Sequence, residues 1–130
     1  MHDAIKQYEG FVDSRWLKTS DRMRDLFHVS AGLAGETGEV LEMIKKSIIP
    51  GREKPFTREA LALELGDVMY YVTRLAAMHG VSLADIIEGN TMKLTMRKVT
   101  GLKDAENEEA HMADIIAERG NWREALGEAA

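Results

Sequence analysis

Two pairs of carboxylates organise this sequence. Glu36 and Glu39 lie one helical step apart within Gly35-Glu36-Thr37-Gly38-Glu39-Val40, and Glu64 and Asp67 repeat the spacing within Glu64-Leu65-Gly66-Asp67. On a helix, residues i and i+3 share a face about one turn apart. Two such faces turned towards each other place four acids around one small volume. Like charges repel and desolvation adds to the cost, so the four cannot stay ionised together without a neutralising partner. A hard divalent cation supplies one, and Mg2+ is the usual choice for oxygen ligands. The simpler alternative is two solvated acidic faces. Both pairs lie inside strongly apolar helical patterns, which weighs against it.

The helices that position these acids follow from periodicity and punctuation. Ser20 is a candidate N-cap, with Asp21 and Asp25 in the first turns, and Pro50-Gly51 ends a helix running to about Ile48. At about 28 residues this helix would be roughly 42 Å long. A compact domain of this size has a radius of gyration of only about 14 Å. The helix is therefore expected to project or to span an assembly, unless it is kinked. His28, Gly32, Glu36, Glu39, Met43 and Lys46 fall on one of its stripes. Gly32, Gly35 and Gly38 each cost a helix about 1 kcal/mol relative to Ala, and close approach by a neighbouring helix or ligand would compensate. His28 reads as a ligand contact or as a hydrogen-bonded structural histidine. Lys46 is a candidate substrate contact, although Lys45 and Lys46 also suit a helix C-terminus.

Thr57 is expected to cap a third helix ending near His79, with Gly80 just past it. Leu61, Leu63, Leu65, Val68, Met69, Val72 and Leu75 surround this helix on nearly every side. Such a helix is expected to be buried, between helices of its own chain and of a partner. Glu64 and Asp67 would sit in that buried segment, where carboxylates need partners or a metal. Tyr71, one turn beyond Asp67, reads as packing or as a hydrogen-bond partner for a carboxylate.

Three further helices are expected. The first runs from Asp3 to about Trp16, and Trp16 reads as packing or as an aromatic platform for a base or sugar. Ser82 and Asp85 form a capping-box-like start to a fourth, which runs to about Lys98. Asn90, Lys93 and Arg97 share one of its faces, as a phosphate-binding stripe or a solvated helix end. Gly101 breaks the pattern, and Asp104 to Glu118 forms an acidic fifth helix. Beyond Arg119 only Trp122 and Leu126 are large and apolar, and they read as a partner contact or as mobile chain.

Three separated blocks resemble, in order, the signature of the all-α nucleoside triphosphate pyrophosphohydrolases, and of their MazG-like group in particular. They are Gly-Leu-Ala-Gly-Glu-Thr-Gly-Glu-Val, Glu-Leu-Gly-Asp-Val-Met-Tyr-Tyr, and Asn90-x-x-Lys93-x-x-x-Arg97. The resemblance covers about residues 20–98. It implies a MazG-like helical domain over 1–98, with 99–130 as a C-terminal helical extension that could serve oligomerisation. The implied fold is an all-α bundle whose four-helix core is completed by forming a homodimer or homotetramer. The implied activity is Mg2+-dependent hydrolysis of a (d)NTP to (d)NMP and pyrophosphate by water attack at the α-phosphorus, in nucleotide-pool control. By this resemblance Glu36, Glu39, Glu64 and Asp67 hold the metal, and one of them, Glu36 being a candidate, positions or deprotonates the water. Lys93 and Arg97 bind phosphates with Asn90 assisting.

Composition narrows the rest. The chain has 130 residues, a net charge of −5 and no cysteine. One domain with a real core is expected, and the charge gives no reason to expect nucleic acid as a partner. Thiolate metal sites, disulfides and cysteine nucleophiles are excluded. No run of about 18 apolar residues and no signal-peptide core is present, so no membrane partner is expected and a cytoplasmic location is. No phosphate-cradling Gly-x-x-x-x-Gly-Lys-Ser/Thr loop occurs. Other readings are a dUTPase-like or histidine-pathway relative in the same superfamily, and a catalytically inactive helical interaction module. A di-iron bundle needs two Glu-x-x-His motifs, and the chain offers one, at Glu108 and His111.

Overall fold

The computed structural model describes residues 2–120. It contains five helices: α1 (His2–Arg15), α2 (Arg22–Ile48), α3 (Arg58–Ala77), α4 (Leu83–Thr100) and α5 (Ala105–Arg119). No strand occurs among the described residues, which are all-α. None of the described helices is long and apolar enough to cross a membrane. The expected Trp122 and Leu126 contacts lie outside the described residues.

The helix ends follow local chemistry. Asp21, rather than Ser20, caps α2, and its Oδ1 accepts from the Arg24 N–H at 3.1 Å. The reason lies in Thr19. Its N–H and hydroxyl both donate to the Asp25 carboxylate, and its Oγ1 accepts from the Asp21 N–H at 3.2 Å. This network holds Asp21 extended and starts the helix one residue later. Those Thr19 hydrogen bonds, opposed by burial, also hold the Asp25 carboxyl below its ordinary value. Thr57 Oγ1 accepts from the Ala60 N–H at 3.1 Å at the start of α3. At α4 the capping box is complete. Ser82 Oγ accepts from the Asp85 N–H, and Asp85 Oδ2 accepts from the Ser82 N–H. Gly101 ends α4 in the left-handed region at φ 69°, its N–H donating to the Arg97 carbonyl at 2.8 Å, a conformation that favours glycine.

The described chain forms two compact units. One spans Val12–Leu75 and the other comprises the stretches up to Phe11 and from Ala76 onward. In the Val12–Leu75 unit, α2 and most of α3 face each other in opposite directions, joined by residues 49–57. The core residues here include Val12, Trp16 and Val29. The segment of α3 expected to be buried is not covered within this chain. Leu63 is 73% exposed, Leu65 49% and Met69 43%. Phe27, Leu41 and Ile48 of α2 are also exposed. In the other unit, α4 packs on α5. A Cβ at Gly89 would fall inside contact distance of the Met112 side chain, so glycine permits this close approach. Arg119 fastens the far end of α5, donating to Asp85 at 2.7 Å and also to Glu88. The Glu9 carboxylate accepts from the Leu83 N–H at 2.8 Å and ties α1 to the start of α4.

Candidate functional site

The two acidic motifs meet across α2 and α3. Glu36, Glu64 and Asp67 each offer a carboxylate oxygen, and these oxygens lie within 4.8 Å of one another. Each step of three or four residues along α2 is matched by a similar step back along α3. Gly32 faces Tyr71, Glu36 faces Glu64 and Asp67, and Glu39 shares a recess with Glu64. The grouping therefore joins one acid of the α2 pair, Glu36, to both acids of the i, i+3 pair on α3. Glu36 and Glu64 are half-buried and Asp67 is exposed. The expectation of fully buried acids on α3 is thus not met within the single chain, because the apolar residues around them are themselves uncovered.

Glu39 stands apart from this group of three. It is exposed and lines a recess of about 390 Å3 with Glu64, Lys46, Lys54 and Phe56. Lys46 points its charge towards Glu42, with Nζ 3.5 Å from Oε1, while Lys45 approaches the other oxygen at 2.6 Å.

Burial, and then the charges of Asp67, Glu64 and Glu39, push the Glu36 carboxyl above its ordinary value. Burial, followed by Glu36, Tyr70 and Asp67, pushes the Tyr71 phenol up as well. The same neighbouring charges that raise the proton affinity of Glu36 also attract a cation. The donor set is all carboxylate oxygen, on two rigid helices and open to solvent through Asp67. It fits a hard divalent cation and offers no nitrogen or sulfur ligand for a softer one.

Trp16 and His28 are brought together. Their ring centroids lie 4.7 Å apart at 34°. Trp16 is buried and His28 exposed. Arg74 lies over the Trp16 ring, its guanidinium carbon 5.3 Å from the centroid, and Nη1 donates to Asp13 at 3.2 Å. No local pattern marks Arg74, because only the fold brings the end of α3 onto Asp13 and Trp16. The Trp16 Nε1 and Arg74 Nε donors are buried with no hydrogen-bond acceptor.

In the other unit, Asn90 and Lys93 line a recess of about 320 Å3 on α4, together with Glu108 and Met112 of α5. Arg97 donates through Nε and Nη2 to the two oxygens of Glu108, at 2.6 and 2.7 Å. In the sequence Glu108 stands out only with His111, and nothing local marks it as the partner of Arg97. The di-iron alternative needed Glu108 as a ligand, and both of its oxygens already accept from Arg97.

The chain matches the MazG nucleotide pyrophosphohydrolase domain over residues 27–101, more than half of its length. It belongs to the MazG family. The match contains both acidic motifs and the Asn90-Lys93-Arg97 stripe, and it ends before α5. Among relatives of this MazG domain, Gene 37 protein of Mycobacterium phage L5 is 39% identical over 85 residues, covering 63% of this chain and 74% of its own. The uncharacterized protein YvdC of Bacillus subtilis (strain 168) is 33% identical over 104 residues, covering 73% of this chain and 92% of its own. No solved structure matches the chain.

Proposed function

We propose that this MazG domain hydrolyses a nucleoside or deoxynucleoside triphosphate to the monophosphate and pyrophosphate, with Mg2+, as part of nucleotide-pool control. The observation that carries this reading is the convergence of Glu36, Glu64 and Asp67 within the family-matched residues. Those three would hold the metal, with Glu39 completing the set once substrate or metal draws it in. When bound, Mg2+ would neutralise triphosphate charge and lower the pKa of a coordinated water.

The protein's own residues divide the remaining work. Water attacks the α-phosphorus, the bond to the bridging oxygen breaks, and pyrophosphate leaves. The water oxygen stays with the monophosphate. Glu36, the α2 acid that faces Glu64 and Asp67, is the candidate to position the water or take its proton. Asn90, Lys93, Arg97 and Lys46 are each assigned to phosphate oxygens. Trp16 and His28 are assigned to the base or sugar. The uncovered apolar residues of α2 and α3 favour a homodimer or homotetramer as the working unit.

The test is phosphorus NMR of products formed from a panel of (d)NTPs with Mg2+ in oxygen-18 water. Monophosphate carrying the label, and unlabelled pyrophosphate, are expected. Orthophosphate and a diphosphate as primary products would reject the reaction.

A further inference from the structure

The phosphate-binding assignment on α4 meets an obstacle within the protein. Arg97 is already bound to an anion. Glu108 accepts from Nε and Nη2 through separate oxygens, at 2.6 and 2.7 Å, the same two-pronged contact a guanidinium makes with a phosphate. The contact is partly shielded, with the Glu108 side chain 18% exposed and that of Arg97 31%. Lys93 and Asn90 line the same recess as Glu108, so the carboxylate that holds Arg97 shares a recess with the other two residues of the stripe. Glu108 comes from α5, outside the residues that match the family.

We propose that Glu108 is an affinity-setting residue that occupies the Arg97 guanidinium as an internal counter-ion, so that a phosphate ligand binds only by displacing it. The proposal rests on the reading that Arg97 binds substrate phosphates. Displacement needs no unfolding of α5. The helix is held independently by Met112 against Gly89 and by Arg119 on Asp85 and Glu88, and Glu108 sits in its first turn. A rotation of one side chain is enough.

Energetically, a competitor inside the protein weakens every ligand that needs Arg97 by the same factor, the inverse of the fraction of time the guanidinium is free. A polyphosphate, with several charges and several contacts, retains useful affinity after that reduction. A single phosphate, weaker at the outset, falls below it. Glu108 would thereby let triphosphate bind while keeping the monophosphate product and free orthophosphate off the site.

A double-mutant cycle read by calorimetry tests this on the full chain, with inorganic pyrophosphate and orthophosphate as probes. Glu108→Gln preserves size and removes the charge, and circular dichroism verifies that the helices remain. The expected result is a gain in affinity of about tenfold or more for both probes, by the same factor. In an Arg97→Ala background the Glu108→Gln step should change either affinity by less than about twofold. An equal gain in both backgrounds would mean that Glu108 merely repels anions through space, and overturns the proposal. Weaker or unchanged binding in Glu108→Gln, with Arg97→Ala also weakened, would mean that Glu108 orients Arg97 for phosphate, and overturns it too. If Arg97→Ala binds both probes as the wild type does, the assignment of Arg97 to phosphate fails, a separate result that removes the proposal with it.

Discussion

Replacing Glu36 by Gln isolates the repulsion inside the carboxylate cluster. The substitution keeps the side chain's size and removes one of three charges whose oxygens lie within 4.8 Å of one another. At about that separation two unit charges repel by about 0.9 kcal/mol in water and by about 3.5 kcal/mol at an effective dielectric constant of about 20. Glu36 and Glu64 are only half-buried and Asp67 is exposed, so the solvent-screened end of that range applies. Relief of two pairs then stabilises the metal-free fold by about 1–2 kcal/mol, or about 4–8 °C in Tm for a chain of this length. The pH dependence has a definite sign. Burial and the neighbouring charges hold the Glu36 carboxyl above its ordinary value, so the native state binds this proton more tightly than the unfolded chain. The associated stability is present below the unfolded value and is lost as pH rises through the native one. Glu36→Gln should therefore match wild type at acidic pH and exceed it above that window. The assay is thermal unfolding followed by circular dichroism across pH, in EDTA and then in Mg2+. Wild type should gain Tm with Mg2+, since a ligand that binds only the native state stabilises it, whereas Glu36→Gln should gain much less. A Glu36→Gln protein less stable than wild type in EDTA at neutral pH would refute the reasoning, because Glu36 would then be making favourable contacts.

Asp67→Asn should abolish hydrolysis in the phosphorus NMR assay while leaving the helical circular dichroism intact, and EDTA should abolish hydrolysis in wild type. Gly32→Ala should destabilise the fold by about 1–3 kcal/mol in chemical denaturation, because its Cβ would collide with the Tyr71 ring. Added Cβ atoms at Gly35 and Gly38 meet nothing within 4 Å in the single chain. Gly35→Ala and Gly38→Ala should preserve helix content yet lower the mass seen by light scattering, if a second copy approaches along this strip. Ser82→Ala removes half of the α4 capping box and should cost about 1 kcal/mol in the same denaturation assay.

What could be read from the sequence divides by range. The i, i+3 carboxylate pairs and most helix ends are local, and Thr57, Ser82 with Asp85, and Gly101 all act as their residue types require. Asp21 displaced Ser20 as a cap because Thr19 and Asp25, six positions apart, settle the turn between them. Glu36 meets Glu64 and Asp67 because the i, i+3 spacing puts both α3 acids on the face turned to α2. Glu39 stands outside the group because it lies one turn along α2, where Glu64 is the nearer acid. Long-range partners left no local trace. Nothing around Glu108 announces Arg97, eleven residues earlier, and nothing around Arg74 announces Trp16. The apolar character of α3 led to an expectation of burial, yet Leu63, Leu65 and Met69 are exposed, because an apolar pattern carries no information about what covers it.

The fit of the Tyr71 ring against the bare backbone of Gly32 has a consequence for the carboxylates one turn away. It indexes one helix against the other, as a key fixes the rotation and travel of a shaft. Sliding α3 by a single turn would carry Asp67 about 5.4 Å along the axis, while an ion with bonds of about 2.1 Å tolerates little such drift. The alignment of the three acids is thus guarded at a position that bears no charge and touches no ligand in the proposed reaction. Exchanging the key, for instance a smaller ring at Tyr71 with a larger residue at Gly32, offers a way to retune the spacing of the acids without altering any of them.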